Sequence, residues 1–295
     1  HLKKLVLASV IVILFFSSCK REVVSIHSIA FYNVENLFDT INDPKINDNR
    51  YVPDSDLVWD TEKYQHKLNQ LSRVIKNMDT MNNYPVVLGL CEVENEAVLK
   101  DLASHESIKD ANYSYLHKNS PDERGIDVAM FYQKEFYLPL ETNFINVDLA
   151  DSGNFTRDIL YSKGLLAGAD TVHLFFNHWV SRWGGQEKTE PFRIFIAQKL
   201  KHITDSILSV NDNAAIILAG DLNDNPTDTS IYHVLGARTY DNKRKKNLNN
   251  LSLAKYKSGE ATANQVYDAI ANNTNENAPY NMEEKKVLKE IFSDL

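Results

Sequence analysis

The chain has 295 residues, 43% hydrophobic and 24% charged, a balance that supports a folded globular protein and excludes an intrinsically disordered one. Its formal net charge of -8 argues against broad electrostatic attachment to nucleic acid, so an anionic substrate needs local help such as a bound cation.

Residues 1–19 predict a signal segment outside the fold. Lys3 and Lys4 form a short basic region, Leu5 to Phe16 an apolar run, and Ser17-Ser18 place small residues before Cys19. The run is shorter than a comfortable membrane span. The pattern resembles a bacterial lipoprotein signal, which implies an exported, envelope-attached protein with lipid on Cys19; a plain cleaved signal and a short anchor are the alternatives. With Cys19 acylated, Cys91 has no partner for an intramolecular disulfide.

Beyond the signal, residues 26–295 read as one domain, with no internal repeat or linker. "IHSIAFYNVENLFD" predicts a strand entering a polar turn and "YPVVLGLCEVEN" a second, buried strand. Between them Tyr64, Leu68, Leu71, Ile75 and Met78 recur at helical spacing, with Asp60 or Thr61 as N-cap. "IDVAMFY", "DILYSKGLLAG" and "VHLFFNHW" predict further strands, the last two too close together for a helix between them. A second helix is expected from about Thr189, with Phe192, Ile196, Leu200, Ile203 and Ile207 on one face, followed by the strand that opens "IILAGDLNDNPTD" at Ile216. Helical crossovers early and hairpins in the middle predict a mixed sheet. The polar, Asn- and Lys-rich stretch 241–295 predicts loops and short helices, and its Lys243 to Lys246 run reads as solvated surface, with steering of a phosphate as the alternative.

Four strand ends concentrate polar chemistry: Asn33 and Glu35, Glu92 and Glu94, Asn177 and His178, and Asp221 and Asn223. Carboxylates at the ends of buried strands lose hydration, and a divalent metal compensates them economically. Oxygen donors favour Mg²⁺, Mn²⁺ or Ca²⁺ over zinc. Taken singly, each cluster also fits a turn or helix cap.

Together, "FYNVENLFD", "LCEVEN", "RGIDVAMFY", "NHWVSRWGG" and "GDLND", in that order, resemble the endonuclease/exonuclease/phosphatase superfamily of metal-dependent phosphohydrolases over about Ile26 to Asn225. The resemblance implies an α/β fold, a four-layer sandwich of two mixed β-sheets flanked by helices. It implies hydrolysis of phosphate esters, phosphodiesters above all, by water attacking phosphorus with Mg²⁺ as cofactor, Mn²⁺ or Ca²⁺ being possible substitutes. Glu92 corresponds to the principal metal-binding carboxylate, with Asn33 and Glu35 completing that shell. Asp221 corresponds to the group that orients or deprotonates water, Asn223 to an amide donor, and His178 to a donor to the phosphate oxygens. Asp127, Arg157 and Asn177 are further expected phosphate contacts, and Tyr32, Trp179 and Trp183 are candidates to line the cleft. The family's closing Asp-His or Asp-Gln signature has no counterpart after Asn225, so the expected sandwich lacks its last strands. An inactive binding module of the same fold is the alternative. The expected partners are a phosphate-ester substrate (nucleic acid, a phospholipid headgroup or a small ester) and a membrane through Cys19, with no protein partner.

Overall fold

The computed structural model describes residues 27–79, 84–149, 155–167, 170–238, 248–251 and 268–271. Cys19, the signal segment and the Lys243 to Lys246 run lie outside the described residues. Among them, no helix is long and apolar enough to cross a membrane.

The first sheet contains β1 (Ile29–Leu37), β2 (Val87–Val93), β3 (Tyr113–Leu116) and β4 (Asp127–Gln133) in the order β1-β2-β4-β3. β1 and β2 are parallel because α1 (Thr61–Lys76) crosses between them, whereas β4 runs antiparallel to both its neighbours. Asp60 caps α1, its carboxylate accepting the Lys63 N–H at 2.9 Å. Tyr64, Leu68, Leu71 and Ile75 bury the helix against Ala30, Leu88 and Leu90. Each such side chain contributes roughly 1.5–3 kcal/mol on burial. A short helix absent from the sequence expectation, α2 (Glu96–Ala103), follows β2; Asn95 caps it and Val98, Leu99 and Leu102 join the same cluster.

The second sheet contains β5 (Tyr137–Ile145), β6 (Ile159–Leu166), β7 (Asp170–His178), β8 (Ala215–Asp221), β9 (Asn249–Asn250) and β10 (Asp268–Ala271), ordered β5-β6-β7-β8-β10-β9. β6 and β7 form the expected hairpin, and β7 and β8 are parallel through α3 (Gln186–Val210). Helix α3 begins before the expected Thr189 and covers β7 and β8 with Ile196, Ala197 and Leu200. The expectation of loops and short helices throughout 241–295 needs correction: β9 and β10 extend this sheet, Asp268 to Ala271 pairing antiparallel with Gly220 to Ile217. The β8 edge supplies backbone donors and acceptors, so a strand forms there without a long apolar run.

The two sheets face each other through Phe31, Cys91, Met130, Leu160, Leu174, Phe176 and Ala219. Helix, sheet, sheet and helix thus stack as the four layers of an α/β sandwich. Both parallel pairs, β1–β2 and β7–β8, end on the same side, where the polar clusters meet. Two glycines allow close approach. A Cβ on Gly89 would lie 2.1 Å from the Phe176 ring, and one on Gly220 would lie 2.4 Å from the Asn177 carbonyl oxygen.

Candidate active site

The β1–β2 and β7–β8 strand ends bring Asn33, Glu92, His178 and Asp221 together. Asn33 Nδ2 donates to Glu92 Oε1 and to Asp221 Oδ2, at 3.1 Å each, bridging the two sheets. His178 Nε2 lies 3.7 Å from Glu92 Oε1. A pair of carboxylates therefore converges around one amide and one imidazole.

Bulges aim these groups. The β1–β2 register slips between Asn33 and Leu37, where Glu35 and Asn36 take positive φ of 53° and 62°. The β2–β4 register slips beside Glu92, which has φ of 63°. Left-handed backbone at non-glycine residues costs on the order of 1–3 kcal/mol each and persists where the surroundings enforce it. Asn223, at φ 52°, completes the set, its N–H donating to Asp221 Oδ1 at 3.1 Å.

The amide of Asn33 is fixed in one sense. Its Oδ1 accepts the Glu35 N–H at 2.8 Å, so its amino group faces the carboxylates. Asn33 thus bridges Glu92 and Asp221. Glu35 is exposed, and it is the backbone of this residue that is engaged, the carbonyl accepting from Lys67 Nζ at 3.0 Å. Burial lowers the Lys67 pKa, against the opposing pull of Glu35 and Glu92.

His178 is buried, and desolvation, with Arg157 and Arg124 adding to it, holds its pKa well below the usual histidine value. The ring is neutral at physiological pH, with one donor and one acceptor nitrogen. Its buried Nδ1 has no hydrogen-bond partner among the described residues. The Asn223 Nδ2 donates to the Trp179 carbonyl at 3.0 Å, fixing the carboxamide beside Asp221.

The three expected phosphate contacts have protein partners in this structure. Arg157 is buried and donates to the carbonyls of His178 at 3.2 Å and Trp179 at 2.5 Å, while its third arm reaches Asp122 Oδ2 at 2.8 Å. It positions the backbone that carries His178. Asp127 accepts from Ser120 and sits 3.0 Å from His117 Nε2. Asn177 donates to the Phe175 carbonyl at 3.2 Å and accepts from Trp179 Nε1 at 3.3 Å. Of the expected cleft aromatics, Trp179 is 1% exposed and belongs to the core, Tyr32 is half-buried, and Trp183 is 90% exposed.

Asp224 organises the loop after β8, a part the sequence reading missed. Its side chain is fully buried, 2.7 Å from Arg193 Nε and 3.1 Å from Arg182 NH2, and it accepts the Ser230 hydroxyl at 2.5 Å. Arg182 also donates to the Asn223 carbonyl at 2.8 Å, which ties the network to the site. The signal available was an Asp one residue after Asn223, with arginines near both ends of "SRWGGQEKTEPFR". Glu94, a buried neighbour of the site, accepts the Asp39 N–H at 2.7 Å; burial, reinforced by Asp39, Asp48 and Asp43, pushes its carboxyl up to about 8.

Among the described residues, no group of three or more His, Cys, Asp and Glu side chains is arranged to hold a metal ion. The donor set at the convergence is two carboxylates flanked by polar neutral groups. That fits a hard cation which keeps several of its own waters, as Mg²⁺ does, better than a cage built entirely of protein ligands.

A sequence model of the Endonuclease/Exonuclease/phosphatase family matches residues 28–270. Among solved structures, humanized D. rerio TDP2 bearing 14 mutations is 16% identical, with 86% of this chain and 85% of that chain covered and a TM-score of 0.53. The catalytic domain of human Nocturnin with bound sulfate anion is 15% identical, with coverages of 69% and 75% and a TM-score of 0.50. The mannosyl-6-phosphatase of Bacteroides thetaiotaomicron is 15% identical, with coverages of 77% and 74% and a TM-score of 0.50. No curated protein sequence matches the chain. At these identities the structural likenesses establish the fold, and the family match spans most of the chain. The chain belongs to the endonuclease/exonuclease/phosphatase family of phosphoester-hydrolysing enzymes.

Proposed function

We propose that this chain hydrolyses phosphodiesters with the help of Mg²⁺, for which Mn²⁺ can substitute. The observation that carries the reading is the convergence of Glu92, Asn33, Asp221 and His178 from four strand ends of two sheets. Nothing in the packing of either sheet alone requires two carboxylates to meet there.

Glu92, with Asp221 beside it, would hold the ion, which when bound supplies positive charge to the ester oxygens and the departing alkoxide. Asn33 keeps both carboxylates oriented and offsets part of their repulsion. Asp221 retains lone pairs beyond its two hydrogen bonds, which suits it to orient a water and accept its proton. Neutral His178 is suited to donate a hydrogen bond to a phosphate oxygen without needing protonation. The carboxamide of Asn223 has one N–H left for the same anion.

The test is hydrolysis of bis(4-nitrophenyl) phosphate by the purified chain from Lys20, with Mg²⁺ or with chelator, beside Glu92→Ala. Chelator-sensitive turnover that disappears in Glu92→Ala, while the circular dichroism of the variant is unchanged, is the expected result. Activity that survives the substitution overturns the assignment of Glu92, and no activity in the parent favours the inactive binding module. We further propose that the protein is exported and held at the bacterial envelope by lipid on Cys19, a reading supported by the Lys3-Lys4 start, the apolar run and the small residues before that cysteine. Metabolic labelling with palmitate, lost in Cys19→Ala, is its expected signature.

A further inference from the structure

Joined to the backbone of His178 through Asp122 and Arg157, a cavity of about 610 Å³ opens between residues 44–49 and 120–123, with Phe155 on its wall. We propose that this pocket receives the sugar ring of a phosphorylated sugar whose phosphate lies at the cluster. The inference rests on the phosphoesterase reading and names the substrate class for it.

The pocket is built, not incidental. Its two loops are tied by the Asn47 N–H donating to the Glu123 carbonyl at 2.8 Å. Gly125, at φ +67°, lets them close, since a Cβ there would come within 2.2 Å of Ile46 Cδ1. Asp48 is buried and accepts the Asp43 N–H at 2.7 Å, fixing the turn that carries Ile46 and Asn47.

The wall is joined to the catalytic strand end. Asp122 lines the pocket and pairs with Arg157, whose Nε donates to the His178 carbonyl. Arg124, half-exposed with its Nε 3.5 Å from Asp122 Oδ1, adds positive charge that His178 senses. In the proposal, the organic group of an ester bound at His178 lies in this cavity, past the Arg124 side chain.

The lining selects the class. Phe155 is 52% exposed, and with Ile46 and Pro121 it offers an apolar floor beside water. Around it, no hydrogen bond among the described residues engages the side-chain amides of Asn47 and Asn49, and Glu123 is an exposed carboxylate. A sugar ring has an apolar face for the phenyl and hydroxyls that bond both amides and carboxylates. A nucleobase is better served by aromatic faces on both sides, and among the described residues Phe155 is the one aromatic in the lining. A polynucleotide would also bring further phosphates toward Glu123 on a chain of net charge -8.

The experiment compares kcat/KM for the 4-nitrophenyl diester of glucose 6-phosphate with that for ethyl 4-nitrophenyl phosphate, in the parent chain and in Phe155→Ala. The sugar ester should be preferred by about tenfold or more, and Phe155→Ala should erase most of that ratio through KM. A parent with no preference, or a ratio unaltered by the substitution, overturns the proposal. Thymidine 5′-(4-nitrophenyl phosphate) turning over faster than the sugar ester, with the same dependence on Phe155, assigns the pocket to a base instead. Saturation-transfer NMR with glucose 6-phosphate separates failure of the pocket from failure of the chemistry. Ring-proton signals lost in Phe155→Ala support the pocket even in a chain that turns over nothing, and their absence from the parent overturns it.

Discussion

Gly89→Ala tests whether the interface between the sheets sets the geometry of the site. The added Cβ would stand 2.1 Å from Phe176 Cδ1 and 2.4 Å from its Cε1, against 3.4 Å for an ordinary contact. The ring or the strand must yield by about 1.3 Å, the difference between 3.4 and 2.1 Å. Phe176 is 1% exposed and Gly89 lies in a fully buried run of β2, so neither can swing into solvent. Overpacking of this kind costs about 1–3 kcal/mol. The movement would also separate Glu92, three residues along β2, from His178, two residues along β7 from Phe176. A misplacement of about 1 Å at a catalytic centre lowers turnover by about a hundredfold. Urea unfolding and bis(4-nitrophenyl) phosphate turnover should therefore both fall in Gly89→Ala, and the double variant Gly89→Ala/Phe176→Val should recover part of each. A single variant with parental stability and parental turnover would refute the reasoning.

Asn33→Asp replaces the bridging amino group with a third carboxylate beside Glu92 and Asp221, and kcat should drop by at least about a hundredfold, with the loss smaller at high Mg²⁺ than at low; equal losses at all Mg²⁺ concentrations would argue against the clamp. Asp224→Ala leaves Arg193, whose side chain is fully buried, without its carboxylate, and should destabilise the fold by about 3–5 kcal/mol in urea unfolding; a change below about 1 kcal/mol would be inconsistent with that pairing. His173 is held below the ordinary histidine pKa by burial, with Lys163 adding to it and Glu141 opposing. The unfolded chain then binds a proton that the folded chain refuses, so stability is full above about pH 6.5 and declines as the pH falls through the folded pKa. His173→Asn, which keeps an acceptor for the Tyr161 hydroxyl, should reduce the slope of unfolding free energy below about pH 6.5; an unaltered slope would remove His173 from the account.

The strands that build the site were legible because they are long, apolar and capped by unusual polar residues. β2, β4, β7 and β8 announce themselves in this way, and the helical period of Tyr64 to Ile75 announces α1. β5 did not, because its residues are largely exposed and Pro139 interrupts it, as suits the sheet edge it occupies. β9 and β10 were equally silent, since their order comes from pairing with an existing edge. Within the site, residue types were readable and orientations were not. Nothing in "FYNVEN" reveals that Glu35 takes the Asn33 oxygen and turns its amino group toward the carboxylates. Arg157 was expected as a phosphate contact, but besides Asp122 it holds two main-chain carbonyls, partners that leave no mark in composition or spacing.

Asn33 joins carboxylates that belong to different sheets, Glu92 on the first and Asp221 on the second. The join has a kinetic meaning during folding. A collapsed state with both sheets formed but not yet docked would give most of the far-ultraviolet signal of the native chain and no turnover. Activity in a refolding experiment would then lag behind secondary structure by the docking time, and the enzyme would serve as its own clock for that step.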